Sequence, residues 1–323
     1  MATQLDPQLK LIKELIEIPT VSRDSNLELI NFVSNYLESH GIESQLIHSD
    51  CGNKANLVAT IGPNIGGGIV LSGHTDVVPI DGQDWHSDPF RLNQREGRLY
   101  GRGTSDMKSF CAIALSLVPE MRALKRPIHL ALSYDEEVGC LGTQSLINLI
   151  KQEIPEPLGV IVGEPTEMRI VTAHKGITHF LTSVYGYEAH SSQQHRGVPA
   201  IMYAGRIINW LAERQSKNAE FEDKKSGFEP GYTTLHCGLI KGGTAANICA
   251  RECTFETDIR TVPGENPEDY LEELQDYIKN TLEPQMKSIN QNAYIDISLK
   301  ANVPGFQASD DDPMVQLVKQ VTG

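Results

Sequence analysis

The sequence predicts an α/β protein: a mainly parallel sheet with helices on both faces, interrupted by a compact α+β insertion. Three observations carry this expectation. Four runs of strand length, ANLVATIG (55–62), GGIVLSGH (67–74), IHLALSYDEE (128–137) and LGVIVGEP (158–165), are apolar almost throughout rather than alternating, as in strands covered on both faces. Segments of helical period, notably 107–123 and 140–151, separate several of them. After TAHKG (172–176) the texture changes to the alternation of a half-exposed strand, beginning with THFLTSVYGYEAH (178–190).

Taken in order, residues 6–18 read as a helix. Asp6 suits the N-cap, Pro7 suits the first helical position, and apolar residues at 9, 11, 12, 15 and 16 share a face. A second helix spans about 25–40, with Leu27, Ile30, Val33 and Leu37 facing inward. The four apolar strands and their helices follow. In the insertion, a helix is expected over 198–214, a polar loop over 216–230, and strands at TTLHCGLIKGG and NICARECTFETDIR. A further helix opens at Asn266-Pro267 with Glu268 and Asp269 in its positive first turn, and AYIDISLKA closes the segment. The expected division is residues 1–177 and 292–323 as one domain and 178–291 as the other, sizes ordinary for domains of a 323-residue chain.

The net charge is −14. A surface of that sign repels nucleic acid and anionic lipid, so neither is expected as a partner. A small anionic substrate is not excluded, because one local Arg or Lys outweighs the distant field. No apolar run is long enough to span a bilayer, and the N-terminus lacks the pattern of a secretory signal. The six cysteines, at 51, 111, 140, 237, 249 and 253, are scattered without a CxxC pair. They are expected to be reduced thiols of a cytoplasmic protein. Cys249 and Cys253, four apart in a strand-like segment, are expected to pack in a core.

Three of the expected strands end in polar residues: Gly73-His74-Thr75-Asp76, Asp135-Glu136-Glu137 and Gly163-Glu164-Pro165-Thr166. A fourth acid, Asp106, sits where GRGTSD enters a helix. Ligands of an open parallel sheet bind at the carboxyl ends of its strands, so these groups are expected to converge on one edge. Each alone has an ordinary explanation. A histidine at a strand end is usually a hydrogen-bonded surface group, DEE is usually a solvated turn, and GRGTSD lacks the GKT or GKS of a phosphate loop. Together they are specific, because crowded carboxylates repel unless cations neutralise them. One histidine and three carboxylates suit zinc or a similar divalent ion. Residues i and i+2 of a strand point the same way, so Asp76 is expected to back His74 and fix its tautomer. Glu136 and Glu137 point apart if still in the strand. One then binds metal while the other serves as base, and Asp106 has two oxygens with which to bridge two ions.

The motifs SGHTDVVP, GRGTSDMK, YDEEVGCLGT and GEPT resemble the dinuclear-zinc aminoacylase and carboxypeptidase family. AHKG, AHSS, YTTLHCGLIKGGTAANI and DIRTVPG are similar to its acetylornithine deacetylase branch. The resemblance covers nearly the whole chain. It implies a phosphorylase/hydrolase-like zinc-peptidase domain with an inserted lid and dimerisation domain, and hydrolysis of an N-acyl amino acid, N-acetylornithine to ornithine and acetate, in arginine biosynthesis. It implies two Zn2+ ions, with Co2+ a possible substitute: one held by His74 and Glu164, one by Glu137, with Asp106 bridging. It gives Asp76 the support of His74 and Glu136 the role of general base. It gives His190 the steadying of the oxyanion, and Asn247 and Arg260 the substrate backbone and carboxylate. From the residues alone, Arg260 beside KGGTAAN suits a carboxylate as well as an ordinary salt bridge, and His190 reads as a capping histidine in a turn. One departure stands out. The family's last histidine ligand has no counterpart, since no histidine follows His236 and the chain ends at Gly323, in a helix opened by Asp312-Pro313. The expectation is a C-terminally shortened chain with a weakened second metal position, reduced stability and uncertain activity. Succinyl-diaminopimelate desuccinylase and carboxypeptidase activities are the rivals within the family. A non-catalytic metal- or ligand-binding dimer is the rival outside it.

Overall fold

A computed structural model describes residues 6–322. They divide into two compact units, 6–170 with 310–322, and 171–309. In the first, α1 (Pro7–Ile16) is capped by the Asp6 carboxylate, which accepts from the Gln8 N–H, with Pro7 in the first turn. α2 (Leu27–Ser39) follows and buries Leu29, Ile30, Val33 and Leu37. The sheet comprises β1 (Ser44–His48), β2 (Ala55–Ile61), β3 (Ile69–His74), β6 (Ile128–Ser133) and β7 (Gly159–Val162) in the order β1-β2-β6-β3-β7. β4 (Asn93–Arg95) and β5 (Arg98–Tyr100) form a separate small hairpin. Along β2, Ala55, Leu57, Ala59 and Ile61 face one core with α1, α2 and α3 (Lys108–Leu117), while Val58 faces a second core with Leu146 of α4 (Thr143–Glu153). Helices therefore cover both faces. α8 (Pro313–Thr322) lays Met314 against Gly159 of β7.

The sheet is mixed rather than mainly parallel. β3 runs parallel to β6 and β7, but β2 is antiparallel to both β6 and β1. A strand buried on both faces carries no mark of its direction. The six residues between β1 and β2 make a tight reversal with no crossover helix, and this dictates an antiparallel pair. β1 itself, half-exposed at the sheet edge, was not expected.

The second unit is a four-stranded antiparallel sheet ordered β10-β11-β9-β12: β9 (Gly176–Tyr185), β10 (Thr234–Gly242), β11 (Glu252–Thr261) and β12 (Tyr294–Val303). A two-residue pair, β8 (Ala173–His174) with β13 (Phe306–Gln307), adjoins it in sequence. One face alternates inward, with Cys253, Phe255 and Ile259 of β11 beside Phe180 and Val184 of β9. It is covered by α5 (Ala200–Glu220), α6 (Pro267–Tyr277) and α7 (Glu283–Ile289). α6 starts as expected, Asn266 accepting from the Glu268 N–H ahead of Pro267. α5 continues to Glu220, into the segment expected to be a loop. The boundaries differ from those expected at 177/178 and 291/292: β12 pairs along β9 from Tyr294 to Val303, so this unit extends to residue 309. Cys249 precedes β11 rather than lying on it, yet it is buried like Cys253, and all six thiols are free. No described helix is long and apolar enough to cross a membrane.

Candidate metal centre

Three strands of the first unit position the site. β3 lies between β6 and β7 and is parallel to both, so the three carboxyl ends emerge at one edge. β3 ends at His74. β6 ends at Ser133 and β7 at Val162, so Glu136, Glu137 and Glu164 stand on the turns just beyond the strands. Asp106 lies in the loop entering α3. Two glycines make room for α3. A Cβ on Gly73 would sit 2.8 Å from the Cys111 Sγ, and one on Gly163 would sit 2.1 Å from the Phe110 ring. The residues immediately before His74 and Glu164 are thus glycine because α3 passes against them.

His74 is buried and forms the floor. Its Nδ1 lies 2.8 Å from the Asp76 carbonyl oxygen. A carbonyl cannot donate, so Nδ1 carries the hydrogen and Nε2 is turned outward. Around Nε2 stand Asp106 Oδ1 at 2.9 Å, Glu164 Oε1 at 3.8 Å and Glu136 Oε2 at 3.9 Å. Burial opposes charge on the imidazole. Its hydrogen bond and charge interaction with Asp76, helped by Glu136 and Glu164, outweigh burial and push its pKa up to about 10.

Asp76 was expected to back His74 with its side chain, but it meets the ring through its main chain. β3 has ended by Asp76, and the residue's main-chain carbonyl, not its carboxylate, makes the short contact with Nδ1; the carboxylate Oδ1 is 3.6 Å away. That carboxylate collects donors instead. Oδ2 accepts from Ser22 Oγ–H at 2.7 Å and from the Glu137 N–H at 3.3 Å, and Oδ1 accepts from the Glu136 N–H at 3.1 Å. Burial raises the Asp76 pKa, but these donors and His74 more than offset it, and the group stays ionised below the usual range.

The remaining acids are uncomfortable without a cation. Burial, then the charge of Asp106, pushes Glu137 up to about 7. Burial also raises Glu164, with Asp106 and Glu136 adding to it. Among the described residues, two groups of side chains place one donor atom each within 4.8 Å of one another: His74, Asp106 and Glu164, and His74, Glu136 and Glu137. A buried imidazole nitrogen facing carboxylate oxygens that repel one another is a donor set suited to zinc and its neighbours.

His190, Asn247 and Arg260 all belong to the second unit. His190 caps a turn, its Nδ1 accepting from the Ser192 N–H at 3.2 Å, and the adjoining Ser191 N–H donates to the Asn247 carbonyl at 2.9 Å. Arg260 does not lie beside KGGTAAN. It pairs in register with Thr234, whereas Gly242 pairs with Cys253, about seven residues or roughly 23 Å away along the hairpin. Its Nε instead donates to Asp258 at 2.9 Å, the salt-bridge alternative, and it is exposed.

Two residues that brace the centre, and a buried lysine two positions after Asp106, were not singled out in the sequence. Ser22 binds Asp76. Lys54 Nζ donates to the Ser22 carbonyl and to Asp135, each at 2.5 Å. Lys108, 1% exposed, sends Nζ to the carbonyls of Leu15 (3.1 Å) and Ile18 (2.7 Å) at the end of α1. Lys108 alone left a sequence signal, a cation in the first turn of an otherwise apolar helix.

Residues 70–323 match the family described as peptidase family M20/M25/M40. The chain belongs to this family. Its curated relatives include the acetylornithine deacetylase of Photorhabdus laumondii, 33% identical over 333 residues covering 100% of this chain and 84% of the relative. That of Proteus mirabilis is 32% identical, covering 100% and 83%. In fold the chain is similar to the M20 family metallo-carboxypeptidase Sso-CP2 of Sulfolobus solfataricus, with a TM-score of 0.76, 19% identity, and 99% and 84% of the two chains covered. The Bacillus subtilis YXEP protein, a dinuclear metal binding peptidase of the M20 family, aligns with a TM-score of 0.60, 16% identity, and 94% and 75% covered.

Proposed function

We propose that the protein is a zinc-dependent amidohydrolase that converts N-acetylornithine to ornithine and acetate. One observation carries the hydrolase reading: the His74 Nε2 stands 2.9 Å from Asp106, with Glu164 and Glu136 within 4 Å, at the shared edge of three strands. The substrate is inferred from relatives that carry the name acetylornithine deacetylase along the whole chain.

In this reading His74, Asp106 and Glu164 would hold one ion, and Glu137, with Asp106, would serve a second. When bound, the metal supplies a Lewis acid for the amide carbonyl and makes a neighbouring water more acidic. Glu136, on the turn beside Nε2, takes a proton from the attacking water and delivers it to the leaving nitrogen. The amide C–N bond breaks, the oxygen of water ends in the acetate, and ornithine leaves with that proton on its amine. Asp76 keeps the imidazole aimed and holds the main chain of Glu136 and Glu137. His190 steadies the oxyanion, and Asn247 and Arg260 receive the amino-acid end, which requires Arg260 to release Asp258. The second unit is then a lid and a dimer interface. Its edge strand β10 exposes Leu239 and Ile240, apolar groups suited to a second copy. A cytoplasmic role in arginine biosynthesis completes the reading.

The test is turnover by the zinc-loaded full chain, with ornithine release from N-acetylornithine compared against N-succinyl-diaminopimelate and a dipeptide. Preference for N-acetylornithine is expected. Preference for the succinyl compound or the dipeptide would move the chain to another branch. Tight zinc binding without turnover of any of the three would make it a metal-binding protein.

A further inference from the structure

We propose that Lys54 is a positioning residue for the turn that carries Glu136 and Glu137. The proposal rests on the reading of that turn as the seat of the working acids, and nothing in the family motifs points to it. Lys54 lies ahead of β2, far in sequence from the turn, and reaches it through a largely dry ion pair: the Lys54 and Asp135 side chains are each 12% exposed, with Nζ 2.5 Å from Oδ1. Asp135 has φ +54°, in the left-handed region, uncommon for a non-glycine residue though more open to aspartate than to most, and its carbonyl accepts from the Leu141 N–H across the turn. That one residue turns the chain between the end of β6 and Glu136. It aims the next two N–H groups at a single carboxylate, Glu136 to Asp76 Oδ1 and Glu137 to Asp76 Oδ2.

The same ammonium donates to the Ser22 carbonyl, and the Ser22 hydroxyl donates to Asp76 Oδ2. Lys54 therefore grips both ends of one chain of bonds: Ser22 on one side of Asp76, and the Asp135 turn on the other. Without the ammonium, the Asp135 carboxylate is left unpaired in a dry position. Its cheapest escape is rotation toward water. That frees the left-handed residue to relax and draws the Glu136 and Glu137 amides away from Asp76.

The experiment is amide hydrogen exchange by NMR on the zinc-loaded full chain, in Lys54→Met and separately in Asp135→Asn, so that a folding failure in one leaves the other. The Glu136 and Glu137 amides are expected to exchange about tenfold faster or more, while Leu130 and Leu132 within β6 keep their rates. Turnover of N-acetylornithine is expected to fall about 10- to 100-fold with KM nearly unchanged. Unchanged protection at Glu136 and Glu137 overturns the proposal. So does acceleration of Leu130 and Leu132 by the same factor, the signature of a residue that only stabilises the fold. If the parent chain turns over no acylated amino acid, the hydrolase reading fails, and the exchange pattern still decides the role of Lys54.

Discussion

Asp76→Asn in the metal-free protein isolates the electrostatics of the buried histidine. His74 in the folded protein has a pKa of about 10, above its ordinary 6.5, with Asp76 the principal partner that raises it. Between those two values the folded state binds one proton more than the unfolded state. The resulting stabilisation is fully present below pH 6.5 and is lost as pH rises through about 10. Removing one close opposite charge lowers such a pKa by about 1–3 pH units, and each unit is worth about 1.4 kcal/mol. The substitution also breaks the acceptor set for Ser22, Glu136 and Glu137, since an amide NH2 meets their N–H and O–H groups at one oxygen position. That loss does not depend on pH. The destabilisation should therefore be larger at pH 6 than at pH 10.5, by about 1.5–4 kcal/mol.

Urea unfolding at the two pH values measures the difference. The chain has two tryptophans, Trp85 in the first unit and Trp210 in the second, so a Trp210→Phe background leaves Trp85 to report on the unit that contains the site. An NMR titration of the His74 ring should show its midpoint falling in the variant. An equal destabilisation at both pH values, with an unmoved midpoint, would refute the account of His74 as an imidazolium held by Asp76.

Zinc should raise the melting temperature more at pH 8 than at pH 5.5, because His74, protonated up to about 10, and Glu137, pushed to about 7 by burial and Asp106, must each lose a proton before they can bind. At 100 times Kd the gain is about 2.7 kcal/mol, and a pH-independent gain measured by calorimetry would remove both from the metal set. Glu136→Gln should lower turnover by about 10²- to 10⁴-fold with zinc content per chain unchanged by atomic absorption; loss of zinc would make Glu136 a ligand rather than a base. Lys108→Met leaves the carbonyls of Leu15 and Ile18 without their buried donor. It should destabilise the first unit by about 2–4 kcal/mol in urea, and a change under about 0.5 kcal/mol, the size of an ordinary surface substitution, would show that α1 needs no such clamp.

What the sequence reveals here is what its physics keeps local. Asp6-Pro7 and Asn266-Pro267 announce helix starts because a cap is satisfied within three residues of its own position. Asp76, Glu136, Glu137 and Glu164 are visible because each follows an apolar strand closely, where the polar residues begin, and Asp106 because a Gly-rich loop carries it into a helix. Strand direction is not local. ANLVATI is as buried in an antiparallel pairing as in a parallel one, so the apolar run that revealed β2 could not orient it. The misplacement of Arg260 has the same origin. Its nearness to KGGTAAN in sequence is undone by the hairpin register, which sets Thr234 opposite it and carries the glycines to the far end.

The supports of the site escape sequence reading for a further reason. The acids grouped at the sheet edge are recognisable because their types are unusual where they stand, but Ser22 and Lys54 are commonplace residues on loops. Their importance comes from partners 54 and 81 positions away. A crowded anionic cluster needs such remote donors more than a neutral one does. The carboxylates repel, and the local bonds that close the turn, from the Gly139 and Cys140 N–H groups to the Glu136 carbonyl and from the Leu141 N–H to the Asp135 carbonyl, do not themselves reach Asp76. Ser22, Lys54 and the two backbone amides of Glu136 and Glu137 add the bonds that tie the turn to Asp76.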